Sequence, residues 1–240
     1  MTATCETTIR DLVAGDYRTA SVFQRHGLDF CCGGNRTVEE ACREAGLDAS
    51  ALLAELERTL TAPASGVPRF GAWDVPTLVT YIIGNHHTYV RGAIPVLLAH
   101  TRKIADVHGD RHPELRDVAE LFQAIADEMT SHMFKEERML FPHIVALDDA
   151  VREGRPAPSP VFCTVENPIR MMEMEHESAG GVMAQIRELT RGYAAPADAC
   201  TTYRVTLQEL EAFEKDLHDH VHLENNILFP KSLRLETEAR

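Results

Sequence analysis

The sequence predicts an all-α protein whose main part is an antiparallel four-helix bundle. Apolar residues recur at steps of three and four, and apolar–polar alternation never persists for the length of a strand. Four long periodic segments are separated by breaks near 108–113, 154–160 and 192–196, each carrying Gly and Pro.

With 240 residues, 44% of them hydrophobic and 25% charged, the chain can bury a sizeable core and resembles neither a disordered chain nor a disulfide scaffold. A net charge of −13, without any Lys- or Arg-rich run, argues against nucleic acid and anionic membrane as partners. No apolar stretch approaches the roughly 18 residues of a membrane helix. The first ten residues lack the basic-then-apolar layout of a secretory signal, so a cytoplasmic protein is expected. Cys5, Cys31, Cys32, Cys42, Cys163 and Cys200 are scattered and form no CxxC, which excludes a zinc knuckle and makes a disulfide framework a poor fit.

From Ile9 to Leu60 the chain reads as short helical pieces, with Gly15, Gly27, the turn at 31–35 and Gly46 as stops. Thr37 and Glu40 make a capping box, in which each side chain satisfies a backbone donor of the other residue. The stretch 61–71 mixes Pro and Gly with small residues and predicts an irregular connector. This places a small helical domain at 1–62, a linker at 63–73 and the bundle at 74–240.

Asp74 and Pro76 open the first bundle helix, with the stripe Val79, Ile83, His87, Val90, Ile94. A second stripe runs Val118, Phe122, Ile125, Met129, His132, Glu136, Leu140. Asn167, as N-cap before Pro168, opens the third, with Ile169, Met172, His176, Met183, Ile186. The fourth is Leu207, Leu210, Phe213, Leu217, His220, Glu224, Leu228.

The sharpest signal is an internal echo. His132, Glu136, Leu140, Phe141 and Pro142 recur at the same offsets as His220, Glu224, Leu228, Phe229 and Pro230. Four residues are nearly one turn, about 6 Å of rise, so each His shares a face with its Glu. His87 and His176 precede these pairs by separations that differ by one residue. Two matching hairpins would therefore gather four imidazoles and two carboxylates at one level of the bundle.

A single His in an apolar stripe is more often a packed core residue than a ligand. Burying Glu136 and Glu224 without partners, however, costs several kcal/mol each, and no Lys or Arg lies on those stripes. Cations supply the missing charge. Imidazole and carboxylate donors without thiolate suit non-haem iron or manganese, whereas oxygen-only magnesium or calcium sites would not use four His. Two octahedral ions, each with two His, one oxygen from each of two bridging carboxylates and a shared oxo or hydroxo group, would keep about one open position apiece.

The paired HxxxE motifs ending in Leu-Phe-Pro, the in-line His on the other two helices and the run His26-Gly-Leu-Asp-Phe-Cys-Cys-Gly-Gly34 make the chain similar to the Repair of Iron Centres family over nearly its whole length. The resemblance implies an ScdA-type N-terminal domain joined to a hemerythrin-like bundle. It implies a di-iron centre of two iron ions on His87, His132, Glu136, His176, His220 and Glu224. The implied function is repair of iron-sulfur clusters damaged by nitrosative or oxidative stress; because the sequence carries no flavin, haem or NAD motif, iron donation to damaged or apo iron-sulfur proteins is expected ahead of enzymatic turnover. The alternative is an NO-binding or NO-reducing di-iron protein, or a hemerythrin-like O₂ or iron binder. The family also permits a homodimer.

Cys31 and Cys32 fall on the family's N-terminal motif, which implies a part in redox or iron transfer. For the next residues the expectations are plainer. His86 points about 100° away from His87. Glu128 and Glu175 are surface charges with a lesser case for steering iron. Cys5, Cys42, Cys163 and Cys200 pack as small apolar groups, and His143, His218 and His222 are solvated or lie beside the ligands.

Overall fold

The computed structural model describes residues 3–62, 68–158 and 162–239. Among these there is no strand; an isolated antiparallel bridge joins Thr8 and Thr37. None of the described helices is long and apolar enough to cross a membrane.

Four short helices come first: α1 (Ile9–Gly15), α2 (Arg18–Arg25), α3 (Val38–Ala45) and α4 (Ala49–Thr61). Thr8 and Asp48 cap α1 and α4 through side-chain oxygens, and the expected capping box opens α3, where Gly46 closes the helix at φ 67°. Ile9, Leu12, Phe23, Val38, Leu52 and Leu56 bury their side chains together.

Of the expected linker, 63–67 lie outside the described residues. Its remainder is packed rather than irregular: Phe70 opens a short 3₁₀ turn, is buried, and meets Trp73, Tyr81 and Tyr17 edge-on or tilted. Aromatic burial outweighs the local preference of the neighbouring Gly and Pro.

The bundle follows as α5 (Val75–Tyr81) and α6 (Thr88–His108), then α7 (Glu114–Lys135) and α8 (Phe141–Arg152), then α9 (Glu166–Leu189), and lastly α10 (Thr201–Leu223) and α11 (Phe229–Glu238). Helix α6 packs on α7 and α10, and α9 on the same two, which closes a four-helix ring. Helix α9 begins one residue before the expected N-cap. Glu236 of α11 accepts the Val165 N–H and the Thr164 hydroxyl, both at 2.7 Å, so a distant carboxylate does the capping and Asn167 donates instead to the Phe162 carbonyl.

Three helices are interrupted by π-helical turns at Ile82–His87, Glu136–Leu140 and Glu224–Leu228. In the last two the N–H of Phe141 or Phe229 reaches back five residues to the carbonyl of Glu136 or Glu224. Pro142 and Pro230, which follow, have no N–H to continue an ordinary ladder. Turns of this kind occur often at functional sites.

The small domain docks on the bundle beside the third π turn. Asn226 donates to the Phe30 carbonyl at 2.9 Å and accepts from Arg10 Nε at 3.1 Å. Gly34 sits so close that a Cβ there would lie 3.1 Å from Asn226 Oδ1 and 2.9 Å from the Phe30 carbonyl. Replacing Asn226 by Ala is expected to cost about 1–3 kcal/mol by stranding the Phe30 carbonyl. Hydrogen exchange should accelerate at 29–34 and remain slow in α7 if this contact carries the docking.

Candidate metal centre

Each half of the bundle delivers the same set of side chains. His87 ends the first π turn, while His132 lies in the last turn of α7 and Glu136 opens the next segment. His176 lies mid-way along α9, and His220 and Glu224 repeat the second arrangement at the end of α10. All six are fully buried at 0% exposure. They form a polar layer between an apolar cluster that includes Met129 and Leu217 and another that includes Leu140, Phe141, Met172 and Phe229.

Two groups of donors share both carboxylates. His87 and His220 gather with Glu136 and Glu224, and His132 and His176 gather with the same pair, the donor atoms of each group lying within 4.8 Å of one another. Neither oxygen of Glu136 makes a hydrogen bond, although His132 Nε2 and His87 Nε2 stand 3.2 and 3.4 Å away. Glu224 Oε1 meets His220 Nε2 at 2.9 Å.

Hydrogen bonds on the far side of the rings explain the orphaned oxygens. His132 Nδ1 faces Glu175 at 2.9 Å, His176 Nδ1 faces the Asn225 carbonyl oxygen at 2.8 Å, and His87 Nδ1 faces Glu137 at 2.6 Å. Each partner is an acceptor, so each Nδ1 carries a proton, and whenever the ring is neutral its Nε2 presents a lone pair inward. His132 Nε2 and His176 Nε2 then face each other at 3.0 Å. Two lone pairs and two carboxylates at this range repel unless protons or cations stand between them, and this donor set fits a pair of cations.

The approximate two-fold extends outward. Phe141 lies parallel to the His87 ring at 5.7 Å, and Phe229 to the His176 ring at 6.1 Å, which gives the repeated Leu-Phe-Pro a physical role. Glu137 and Asn225 are equivalent positions, each one residue past the buried Glu, and each anchors the in-line His of its own hairpin. Arg91 holds Glu137 at 2.5 Å, and Lys135 pairs with Glu175.

The symmetry breaks at His86. It occupies the position equivalent to Glu175, immediately before the in-line His, but its ring stacks on His220 at 5.5 Å with 8° between planes and its Nδ1 faces Asp216. His220 Nδ1 consequently has no hydrogen-bond partner.

Charge follows the same division. Burial opposes protonation of His132, but Glu136 and Glu175 override it and lift its pKa to about 10. Burial dominates at His220 and pushes it down. Burial raises the two central carboxylates, and Glu224 also raises Glu136, yet the surrounding imidazoles hold both Glu136 and Glu224 below the usual range. Glu175 is held at about 2 by its hydrogen bond to His132.

Several single-residue expectations change. His86 is buried against the cluster rather than turned away from it. Glu175 supports His132 and is no plain surface charge, whereas Glu128 accepts from Ser178 at 3.2 Å. His222 is completely buried, bonded to Asn226 and packed by Tyr17 and Phe30; burial pushes it down to about 3. His143 and His218 are half-buried beside Phe162 and Phe30. Cys42 packs as expected and Cys5 partly so, but Cys163 and Cys200 are exposed. Glu137 and Asn225 escaped notice in the sequence, where their signal was adjacency to Glu136 and Glu224.

Cys31 is buried and Cys32 half-buried, with sulfurs 3.8 Å apart. Asp29 joins them: its Oδ1 lies 3.1 Å from the Cys31 sulfur, and its carboxylate accepts the backbone N–H groups of Cys31, Cys32 and Gly33. The Cys32 contact, burial and Asp29 raise the Cys31 thiol well above its ordinary range, so it stays protonated in isolation. Asn225, which anchors His176, also donates to the Cys31 carbonyl at 3.4 Å.

Fold and donor cluster define a hemerythrin-like cation-binding protein. The Hemerythrin HHE cation binding domain matches 78–232, and the ScdA_N domain, described as a domain of unknown function, matches 5–60. Two proteins named Iron-sulfur cluster repair protein YtfE, from Yersinia pseudotuberculosis serotype O:1b (strain IP 31758) and Yersinia pestis (strain Pestoides F), are each 36% identical over 219 residues. These cover 91% of this chain and 93% of the relative. The chain belongs to the family of these YtfE proteins.

Glu175→Leu, which strands the His132 Nδ1–H, is expected to weaken divalent-metal binding about 10–100-fold in competition with a chelator. Glu128→Leu is expected to leave that affinity unchanged.

Proposed function

We propose that this protein holds two iron ions, for which His87, His132, Glu136, His176, His220 and Glu224 would supply the donors, and repairs iron-sulfur clusters after nitrosative or oxidative damage by donating iron to damaged or apo iron-sulfur proteins. The observation that carries the reading is the sharing of both buried carboxylates by two pairs of imidazoles. The printed name of the relatives supports the repair role. When bound, the iron pair supplies exchangeable metal and open positions for NO or O₂.

The protein's own residues set the order of release. An imidazole that binds a cation through Nε2 keeps its proton on Nδ1, and at His220 that proton would have no acceptor, at a cost of about 1–3 kcal/mol. An ion held by His132 and His176 has both far nitrogens satisfied. The His87/His220 position therefore gives up its iron first.

Asp29, Cys31 and Cys32 are the receiving group. They gather donor atoms within 4.8 Å beside the turn that carries Glu224. The group opens into a cavity of about 320 Å³ whose lining includes Glu177, Gly180, Gly181 and His218. An arriving cation displaces the thiol protons and forms thiolate bonds.

Iron loss to a chelator should occur in two phases, with His86→Glu slowing only the faster one; a single phase counts against the order of release. Anaerobic incubation of the iron-loaded protein with an apo iron-sulfur enzyme should restore that enzyme's activity. Cys31→Ser/Cys32→Ser should slow the transfer at unchanged iron content, whereas Glu136→Ala or Glu224→Ala should lower the content itself. Catalytic NO consumption without any transfer would instead establish the NO-reducing reading.

A further inference from the structure

A second set of reactive side chains lies at the far end of the bundle, independent of the iron reading. His108 is the last residue of α6, a helix of 21 residues that begins immediately after His87, so about 30 Å of helix separates the two histidines. Its ring is only 5% exposed, and Nε2 stands 3.2 Å from the sulfur of Cys200. Nδ1 has no hydrogen-bond partner, and the Tyr203 ring packs at 5.4 Å. The imidazole is thus fixed with one nitrogen on the thiol and can take its proton without competition from another partner.

Cys200 supplies the other half of the arrangement. It is exposed, and it is the N-cap residue of α10, a 23-residue helix, without spending its side chain on a capping bond. The sulfur therefore sits at the N-terminal end of a long helix, with the imidazole of His108 against it. The carboxylate of nearby Asp198 is taken up by His112 at 3.1 Å and Arg111 at 3.0 Å. Arg204, one turn into α10, is held by the carbonyls of Pro196 and Ala197 and adds positive charge. Glu114 is drawn toward His112 at 3.3 Å.

We propose that Cys200 is a thiol-modification site, with His108 as its base, that exchanges with low-molecular-weight disulfides of the glutathione type. The Cys200 proton passes to His108 Nε2 as the sulfur attacks one sulfur of the disulfide. A mixed disulfide forms, the original S–S bond breaks, and the departing thiolate takes the electron pair. Cys200 is oxidised and the released half of the reagent is reduced, so no further oxidant is needed. Because Cys200 starts the helix that ends at Glu224, an adduct here modifies the support of the carboxylate cluster from its distant end.

Cys163 provides an internal control. It too is exposed, but among the described residues no imidazole is bonded to its sulfur and it caps no helix. The full chain is incubated with oxidised glutathione at neutral pH, quenched by alkylation, and read by peptide mass spectrometry at all six cysteines. Cys200 is expected to gain the adduct at least about tenfold faster than Cys163. His108→Phe should bring the Cys200 rate down toward that of Cys163 while leaving the Cys163 rate and the helical circular dichroism unchanged. His108→Gln, which keeps a polar contact but no base, serves as the second variant should the Phe ring disturb packing. Equal rates at the two cysteines, or a Cys200 rate indifferent to both substitutions, would overturn the assignment.

Discussion

Glu136 and Glu224 have no exposure, and among the described residues only imidazoles pair with them; this pair of buried charges constrains the layer around it. A buried carboxylate without a counter-charge costs several kcal/mol, enough to consume much of a domain's net stability. The bundle answers with four imidazoles, and the tautomers of His87, His132 and His176 are set from behind by Glu137, Glu175 and Asn225. Those outer partners make the inner nitrogens lone-pair donors, so the interior is arranged for positive charge rather than for a neutral core. In the metal-free protein the charge is met in part by protons, as the high pKa of His132 indicates.

The duplicated hairpin explains both the economy of the site and its inequality. Repeating His, Glu, Leu, Phe and Pro at fixed offsets repeats a donor, a shared carboxylate, a π turn and a ring that packs on the opposite helix's imidazole. Only the outermost layer departs from the repeat, where a ring replaces an acceptor at His86. Two positions that share the same carboxylates are thereby unequal in how firmly their imidazoles are oriented. The proposed iron donation would benefit from that difference, because one position could empty while the other kept the shared carboxylates in place.

Much of this was legible in the chain itself. The four stripes and the six inward residues follow from helical periodicity, since a residue that falls every three or four positions among buried neighbours has no other face to occupy. What could not be read were contacts that cross between elements. Glu236 caps α9 from some seventy residues away, so the local Asn-Pro signal misplaced the helix start by two residues. His86 was assigned outward by a 100° rotation that the π turn and the neighbouring α10 do not respect. Cys200 looked like a small apolar residue because nothing in its local sequence reports His108.

The position of the small domain joins the two chemistries of the molecule. Asn225 and Asn226 directly follow Glu224, and between them they contact His176, the carbonyls of Phe30 and Cys31, Arg10 and His222. A shift of the Glu224 turn therefore moves the floor beneath the Cys31–Cys32 loop, and undocking of that loop removes a polar partner from the side chain that orients His176. Neither end can change its hydrogen bonding without disturbing the other, because buried amides tolerate few alternative partners. The thiol loop and the carboxylate cluster are mechanically one site, although some two hundred residues of chain lie between them.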